Sequence, residues 1–115
     1  MSTTIYHNPR CSKSRQTLQL LEERGIQPEV VKYLETPPDE ATLKTLLDML
    51  GLEPRQLMRQ KETAYKELGL DNPELDRDAL IRTMVEHPKL IERPIVVKDG
   101  KAALGRPPED VLEIL

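Results

Sequence analysis

The spacing of apolar residues changes repeatedly along the chain, and each change predicts an element. Thr3-Thr4-Ile5-Tyr6 is short, β-branched and aromatic, which favours a strand. Asn8-Pro9 follows as a loop signal, because proline disfavours the helical region for the residue before it. Nothing from Cys11 to Arg24 breaks a helix. Ser14, Leu18 and Leu21 recur at helical spacing, and Gly25 fits the position just past a helix end. Glu29-Val30-Val31-Lys32-Tyr33 reads as a second strand. Two strands joined by one helix make a βαβ unit, with parallel strands and a right-handed crossover. Cys11 then falls at the carboxyl end of the first strand and the amino end of the first helix.

Thr36-Pro37-Pro38-Asp39 predicts a helix start with a Thr36/Asp39 capping arrangement. Leu43, Leu46, Leu47 and Leu50 then form one apolar face, and Gly51 stops the helix. Pro54 opens a short helical stretch through Arg59, and another runs from about Glu62 to Leu68. Asp76 to His87 carries Leu80, Ile81, Met84 and Val85 on one side, and Pro88 ends it. Pro94 to Lys98 is a strand, Asp99-Gly100 signals a type I′ hairpin, and Lys101 to Leu104 return as its partner. Pro107 to Leu115 close the chain as a helix, with Val111, Leu112 and Leu115 as a buried stripe. The expected fold class is α/β. A mixed four-stranded sheet is built in the order β-α-β, a helical insert at about 39–90, then β-β-α. The length of 115 residues fits a single domain.

Composition sharpens this. With no Phe or Trp and only three Tyr, the core has to be filled by Leu, Ile, Val, Met and Ala. Seventeen basic and 20 acidic residues are well mixed and leave a net charge of −3, which gives no electrostatic footprint for nucleic acid or an anionic membrane. No run approaches the roughly 20 apolar residues of a spanning helix. The first ten residues, MSTTIYHNPR, lack a signal-peptide core. One cysteine cannot form an internal disulfide, which fits a reducing compartment, and a cytoplasmic location is expected. Two His and one Cys show no metal-ligand spacing, so no metal is expected.

The single cysteine lies in HNPRCSKSR, residues 7–15. A lone cysteine is commonly a small buried core residue. Here, however, it stands at a strand-to-helix turn beside His7, Arg10, Lys13 and Arg15. Unpaired backbone N–H groups and the positive end of the helix dipole favour the thiolate at such a place, and the same N–H groups hold an oxyanion. Cys11 is therefore the candidate nucleophile. The Ser14 hydroxyl is placed to donate to the thiolate one turn back, or else is a solvated helix residue. His7 either orients or polarises the thiolate, or is an ordinary strand-end residue.

IYHNPRCSKSRQTLQLLEERG resembles the start of the glutaredoxin-coupled arsenate reductases. YLETPP at 33–38, LMRQKE at 57–62, ERPIVV at 92–97 and GRPPEDVLEIL at 105–115 are similar to that family in order and spacing, so the resemblance covers essentially the whole chain. It implies a thioredoxin-like fold with a helical insert. It implies that the N-terminal cysteine, Cys11, attacks arsenate, and that three arginines, Arg59, Arg93 and Arg106, hold the oxyanion. It also places Pro94 at the cis-proline position beside the thiol. Forked guanidinium donors suit a tetrahedral dianion that would otherwise repel a thiolate. The resemblance further implies glutathione as co-substrate and glutaredoxin as partner; no bound cofactor and a monomer are expected. With no second cysteine an internal relay is impossible, so turnover needs external thiols. Two features depart from the family pattern: Arg10 stands where a small residue is usual, and Ser12-Lys13 where Gly-Thr is usual. The bulkier, more cationic loop leaves open another oxyanion or a glutathionylated thiol as substrate. A related branch binds RNA polymerase and senses disulfide stress through CxxC, and Ser14 removes the second cysteine of that switch.

Overall fold

β1 (Thr3–His7) alternates as a strand should, with Thr3, Ile5 and His7 buried and Thr4 and Tyr6 half-buried. The structure, a computed structural model, describes residues 2–115. Its contacts cluster into two compact units: residues 1–36 with 93–115, and residues 37–92.

The first unit holds the sheet. β2 (Glu29–Lys32), β3 (Ile95–Lys98) and β4 (Lys101–Leu104) join β1 in the order β2-β1-β3-β4. β1 pairs with β2 in parallel and with β3 antiparallel, and β3 pairs antiparallel with β4. His7 lies opposite Lys32, Tyr6 opposite Ile95, and Ile95 opposite Leu104. The carboxyl ends of β1, β2 and β4 and the amino end of β3 therefore meet at one end of the sheet. Asp99 (φ 51) and Gly100 (φ 78) both take the left-handed conformation that a type I′ turn requires, as the Asp-Gly pair predicts.

α1 (Ser12–Glu23) connects β1 to β2 and buries Ser14, Thr17 and Leu21, which share one face. Ile5, Leu21, Val96 and Val111 form the centre of this unit's core, with Leu18, Leu20, Ile26, Ala103, Ile114 and Leu115 around them. Each side chain fully buried in such a cluster contributes about 1.5–3 kcal/mol of transfer free energy. β2 stops one residue before the expected Tyr33. The chain turns there, with the N–H groups of Glu35 and Thr36 donating back to the Lys32 carbonyl (both 2.9 Å), and Tyr33 is buried in the turn. The tail also departs from expectation. Pro108–Ile114 is a 3-10 helix, not an α-helix. The segment is short for α-helix nucleation, and its three-residue period brings Val111 and Ile114 to the core. Leu112, expected in the buried stripe, is half-buried outside that cluster.

The second unit is helical, with α2 (Glu40–Leu50), α3 (Pro54–Leu57), α4 (Thr63–Glu67) and α5 (Arg77–Glu86). The Thr36/Asp39 capping arrangement is replaced by a simpler one: Asp39 is itself the N-cap, accepting the Thr42 N–H (2.7 Å). Asp76 does the same for α5, accepting the Ala79 N–H (2.7 Å). Leu43, Leu46 and Leu47 of α2 and Leu80, Ile81 and Met84 of α5 are buried, and the two helices pack together. α3 ends at Leu57, short of Arg59, because Met58 turns extended and bridges to Ile91 while the Arg59 N–H donates to the Leu90 carbonyl (2.7 Å).

Candidate active site

The turn after β1 is held by its own backbone. The Asn8 carbonyl accepts the Cys11 N–H (3.0 Å), and Asn8 Oδ1 accepts the Arg10 N–H (3.0 Å). Arg15 Nη1 donates to the Pro9 carbonyl (3.0 Å), tying the turn to the helix that follows. These bonds leave Cys11 as the N-cap of α1, extended at φ −95° and ψ 125°, with its carbonyl accepting the Arg15 N–H (3.0 Å).

Cys11 is 9% exposed. Burial alone pushes its thiol pKa up. The Ser14 N–H, the charge of Arg93, the Lys13 N–H and a hydrogen bond from Arg93 outweigh burial, and the net shift is downward. No backbone N–H meets hydrogen-bond geometry with the side chain as a formal cap. The Ser14 and Lys13 groups thus act as near dipoles, and gain strength when the thiol ionises.

Ser14 is fully buried, and its hydroxyl does not serve the thiol. Its Oγ accepts the Asn8 N–H (3.0 Å) and lies 2.6 Å from His7 Nδ1. His7 is also buried and touches the first turn of α1 through that contact. Burial, then the charges of Lys32 and Arg15, lower its pKa, so the imidazole is neutral near pH 7. Ser14 is therefore not the solvated helix residue that an isolated reading of the sequence allows.

The sheet brings the other candidates to the same end. The Arg93–Pro94 peptide is cis, as the resemblance implied, and Arg106–Pro107, unanticipated, is cis too. The Pro94 carbonyl accepts the Gly105 N–H (3.0 Å), and Arg106 Nη1 donates to the Arg93 carbonyl (3.3 Å). A β-carbon on Gly105 would lie 2.8 Å from Pro94 Cγ and overlap Thr17 Oγ1, so only glycine fits there. Reading the sequence gave Gly105 no role; its one signal was a glycine directly after a strand and before Arg-Pro.

Thus Cys11, His7, Ser14, Arg93, Pro94 and Arg106 all belong to the sheet-bearing unit, whereas Arg59 belongs to the helical one. There Arg59 Nη1 pairs with Glu62 Oε2 (3.0 Å) and reaches toward the Lys89 carbonyl (3.5 Å). Among the described residues no group of three His, Cys, Asp or Glu is placed to hold a metal ion, and no helix is long and apolar enough to cross a membrane.

A mixed sheet of this order, with the Cys11 thiol at the start of α1 and a cis proline at the start of β3, is a thioredoxin-like fold. The ArsC family model matches residues 6–114, and the chain belongs to the ArsC family. It is 62% identical over 112 residues to the arsenate reductase of Neisseria meningitidis (serogroup A, strain Z2491), covering 96% of each chain. It is 65% identical to "Uncharacterized protein YfgD" of Escherichia coli (strain K12), covering 96% of this chain and 94% of that one. Among solved structures, an arsenate reductase from Vibrio cholerae matches with a TM-score of 0.98 and 63% identity, over all of this chain and 98% of the other.

Proposed function

We propose that this chain reduces arsenate to arsenite with Cys11 as nucleophile and glutathione and glutaredoxin as the source of electrons. The observation that carries the reading is the Cys11 thiol, held at the α1 N-terminus and shifted toward the thiolate by Ser14 and Lys13 N–H groups and Arg93. Family membership and the names of the relatives support arsenate as the oxyanion.

In the proposed sequence the Cys11 thiolate attacks arsenic. A sulfur–arsenic bond forms, and one arsenic–oxygen bond breaks as the oxygen leaves with protons as water; arsenic stays pentavalent. Arg93 and Arg106 neutralise the dianion as it nears the sulfur. A glutathione thiolate then attacks the Cys11 sulfur. A disulfide forms, the sulfur–arsenic pair stays on arsenic, and trivalent arsenite leaves. Glutaredoxin takes the glutathione by thiol exchange and returns Cys11 as the thiolate. Arg59 is proposed as a third oxyanion ligand on the family resemblance alone. His7, Ser14 and Pro94 are proposed to support the thiol turn. Every residue in the scheme comes from one chain, so a monomer suffices. One domain bearing a helical insert, working without a bound cofactor in the reducing cytoplasm, completes the reading.

The test is a coupled assay with arsenate, glutathione, glutaredoxin, glutathione reductase and NADPH. Wild type consumes NADPH in an arsenate-dependent way, and Cys11→Ser does not. Equal arsenate-dependent turnover by Cys11→Ser would overturn the reading. So would wild-type turnover of a glutathione mixed disulfide that needs no oxyanion and shows none with arsenate.

A further inference from the structure

A second feature flanks the thiol turn and is not used by the scheme above. A cleft of about 290 Å³ opens at the same end of the sheet, lined by His7, Pro9, Arg10, Lys32, Leu34 and Glu35 among others. Two independent parts of the fold build it. The β1–α1 turn supplies Pro9 and Arg10, and the parallel register that sets His7 opposite Lys32 brings in the end of β2.

Its polar groups are available. Among the described residues the side chains of Arg10, Lys32 and Glu35 enter none of the ion pairs. His7 is 5% exposed and lines the cleft, and among the described residues its Nε2 makes no hydrogen bond. Hydrogen-bond accounting favours one tautomer, the one that gives the buried Ser14 hydroxyl proton an acceptor. Ser14 Oγ already accepts the Asn8 N–H, and the acceptor left for the Ser14 hydroxyl proton is His7 Nδ1 at 2.6 Å. With Nδ1 accepting, the neutral ring carries its hydrogen on Nε2. The cleft therefore presents a buried N–H donor and two cations, with one carboxylate and the apolar Leu34 beside them.

We propose that this cleft is a subsite for glutathione, with Arg10, Lys32 and the His7 Nε2–H taking its carboxylates and Glu35 taking its ammonium group. The proposal rests on glutathione being the co-substrate. An inorganic oxyanion would leave Glu35 facing a like charge and Leu34 unused. A small zwitterionic peptide with two carboxylates and one ammonium matches the whole lining. The volume lies just under the roughly 300–1,000 Å³ of sites that enclose a drug-sized ligand, so the tripeptide lies along the open cleft with its two ends on the charged rim, not enclosed within it. Arg10 is bonded directly to Cys11, about 3.8 Å away between Cα atoms, and the cysteinyl sulfur of glutathione is about one residue's reach from its glycyl carboxylate. The cleft thus holds the peptide where its sulfur faces Cys11. The cationic Arg10, which departs from the family pattern, gains a role.

The experiment uses S-methylglutathione, whose sulfur cannot react, titrated into protein labelled with ¹⁵N histidine. The expected result is a saturable shift of His7 but not His87, with the Nε2–H tautomer seen before ligand is added. Arg10→Ala and Lys32→Ala, both at exposed positions, each weaken binding about fivefold, the size of one exposed charge contact. An unmoved His7 signal overturns the proposal, as does undiminished affinity in both variants. An equal His7 shift with arsenate alone would assign the cleft to oxyanions and overturn it too. Binding is read without turnover. A silent coupled assay with a normal His7 shift would remove arsenate as substrate and leave the subsite standing.

Discussion

Gly105 packs against Thr17 with no volume between them for a side chain. The same glycine donates its N–H to the Pro94 carbonyl (3.0 Å), so it fixes the spacing between α1, which carries Cys11 at its start, and the Arg93–Pro94 segment. Gly105→Ala forces that spacing open. The expected cost is about 1–3 kcal/mol, as for other overpacked sites, measured by urea denaturation. Retreat of Arg93 also raises the thiol pKa, read from alkylation rate against pH. Adding Thr17→Ala removes the worst overlap, so the double variant is less destabilised than the sum of the two single changes. Strict additivity would show that the contact does not set the spacing.

Ser14→Ala separates the hydroxyl from the backbone. The hydroxyl partners His7 Nδ1 and the Asn8 N–H inside the protein, and its loss costs about 1–3 kcal/mol of stability. The N–H of residue 14, which favours the thiolate, stays in place. The alkylation midpoint of Cys11 therefore barely moves. A rise as large as that in Arg93→Ala would mean that the hydroxyl acts on the sulfur directly.

Arg93 is expected to act in two ways that a lysine divides. Arg93→Ala raises the Cys11 pKa and weakens arsenate binding together. Arg93→Lys keeps the charge and most of the thiolate but loses the forked donors, so KM for arsenate rises about tenfold while the alkylation midpoint stays close to wild type. Identical behaviour of the two variants in both measurements would contradict this division.

The lowered thiol pKa also has a thermodynamic signature. The folded pKa lies below the unfolded one, so between the two the unfolded chain binds more protons and stability rises with pH. The contribution is fully present above the ordinary cysteine pKa of about 8.5 and is lost as pH falls through the folded value. Wild type should therefore gain stability relative to Cys11→Ala as pH rises through that window. A gap that is flat or narrows with pH would mean that the fold does not favour the thiolate.

Much of this arrangement is legible in the sequence because local chemistry decides it. Asp99-Gly100 dictates its turn, Gly51 (φ 68) stops α2, and Pro9 with Gly25 brackets α1 closely enough to place Cys11 at a helix start. What was hidden depends on contacts remote in sequence. The Ser14 hydroxyl turns toward His7 because β1 runs beneath the first turn of α1, a packing fact that no local pattern carries. Gly105 is required by Thr17 and Pro94, each more than ten positions away. The tail's 3-10 winding follows from how Val111 and Ile114 meet the core, whereas the residues alone allow an α-helical stripe. Arg59 shows the limit from the other side: its ion pair with Glu62 is visible in the structure, but its proposed role comes from resemblance.

The central claim is that Cys11 is a thiolate nucleophile in an oxyanion site. The most direct test is the rate of Cys11 alkylation by iodoacetamide across pH, with and without arsenate. The account predicts a midpoint below that of free cysteine, and slower alkylation when arsenate occupies the site. A midpoint at or above that of free cysteine, with no protection by arsenate, would contradict it.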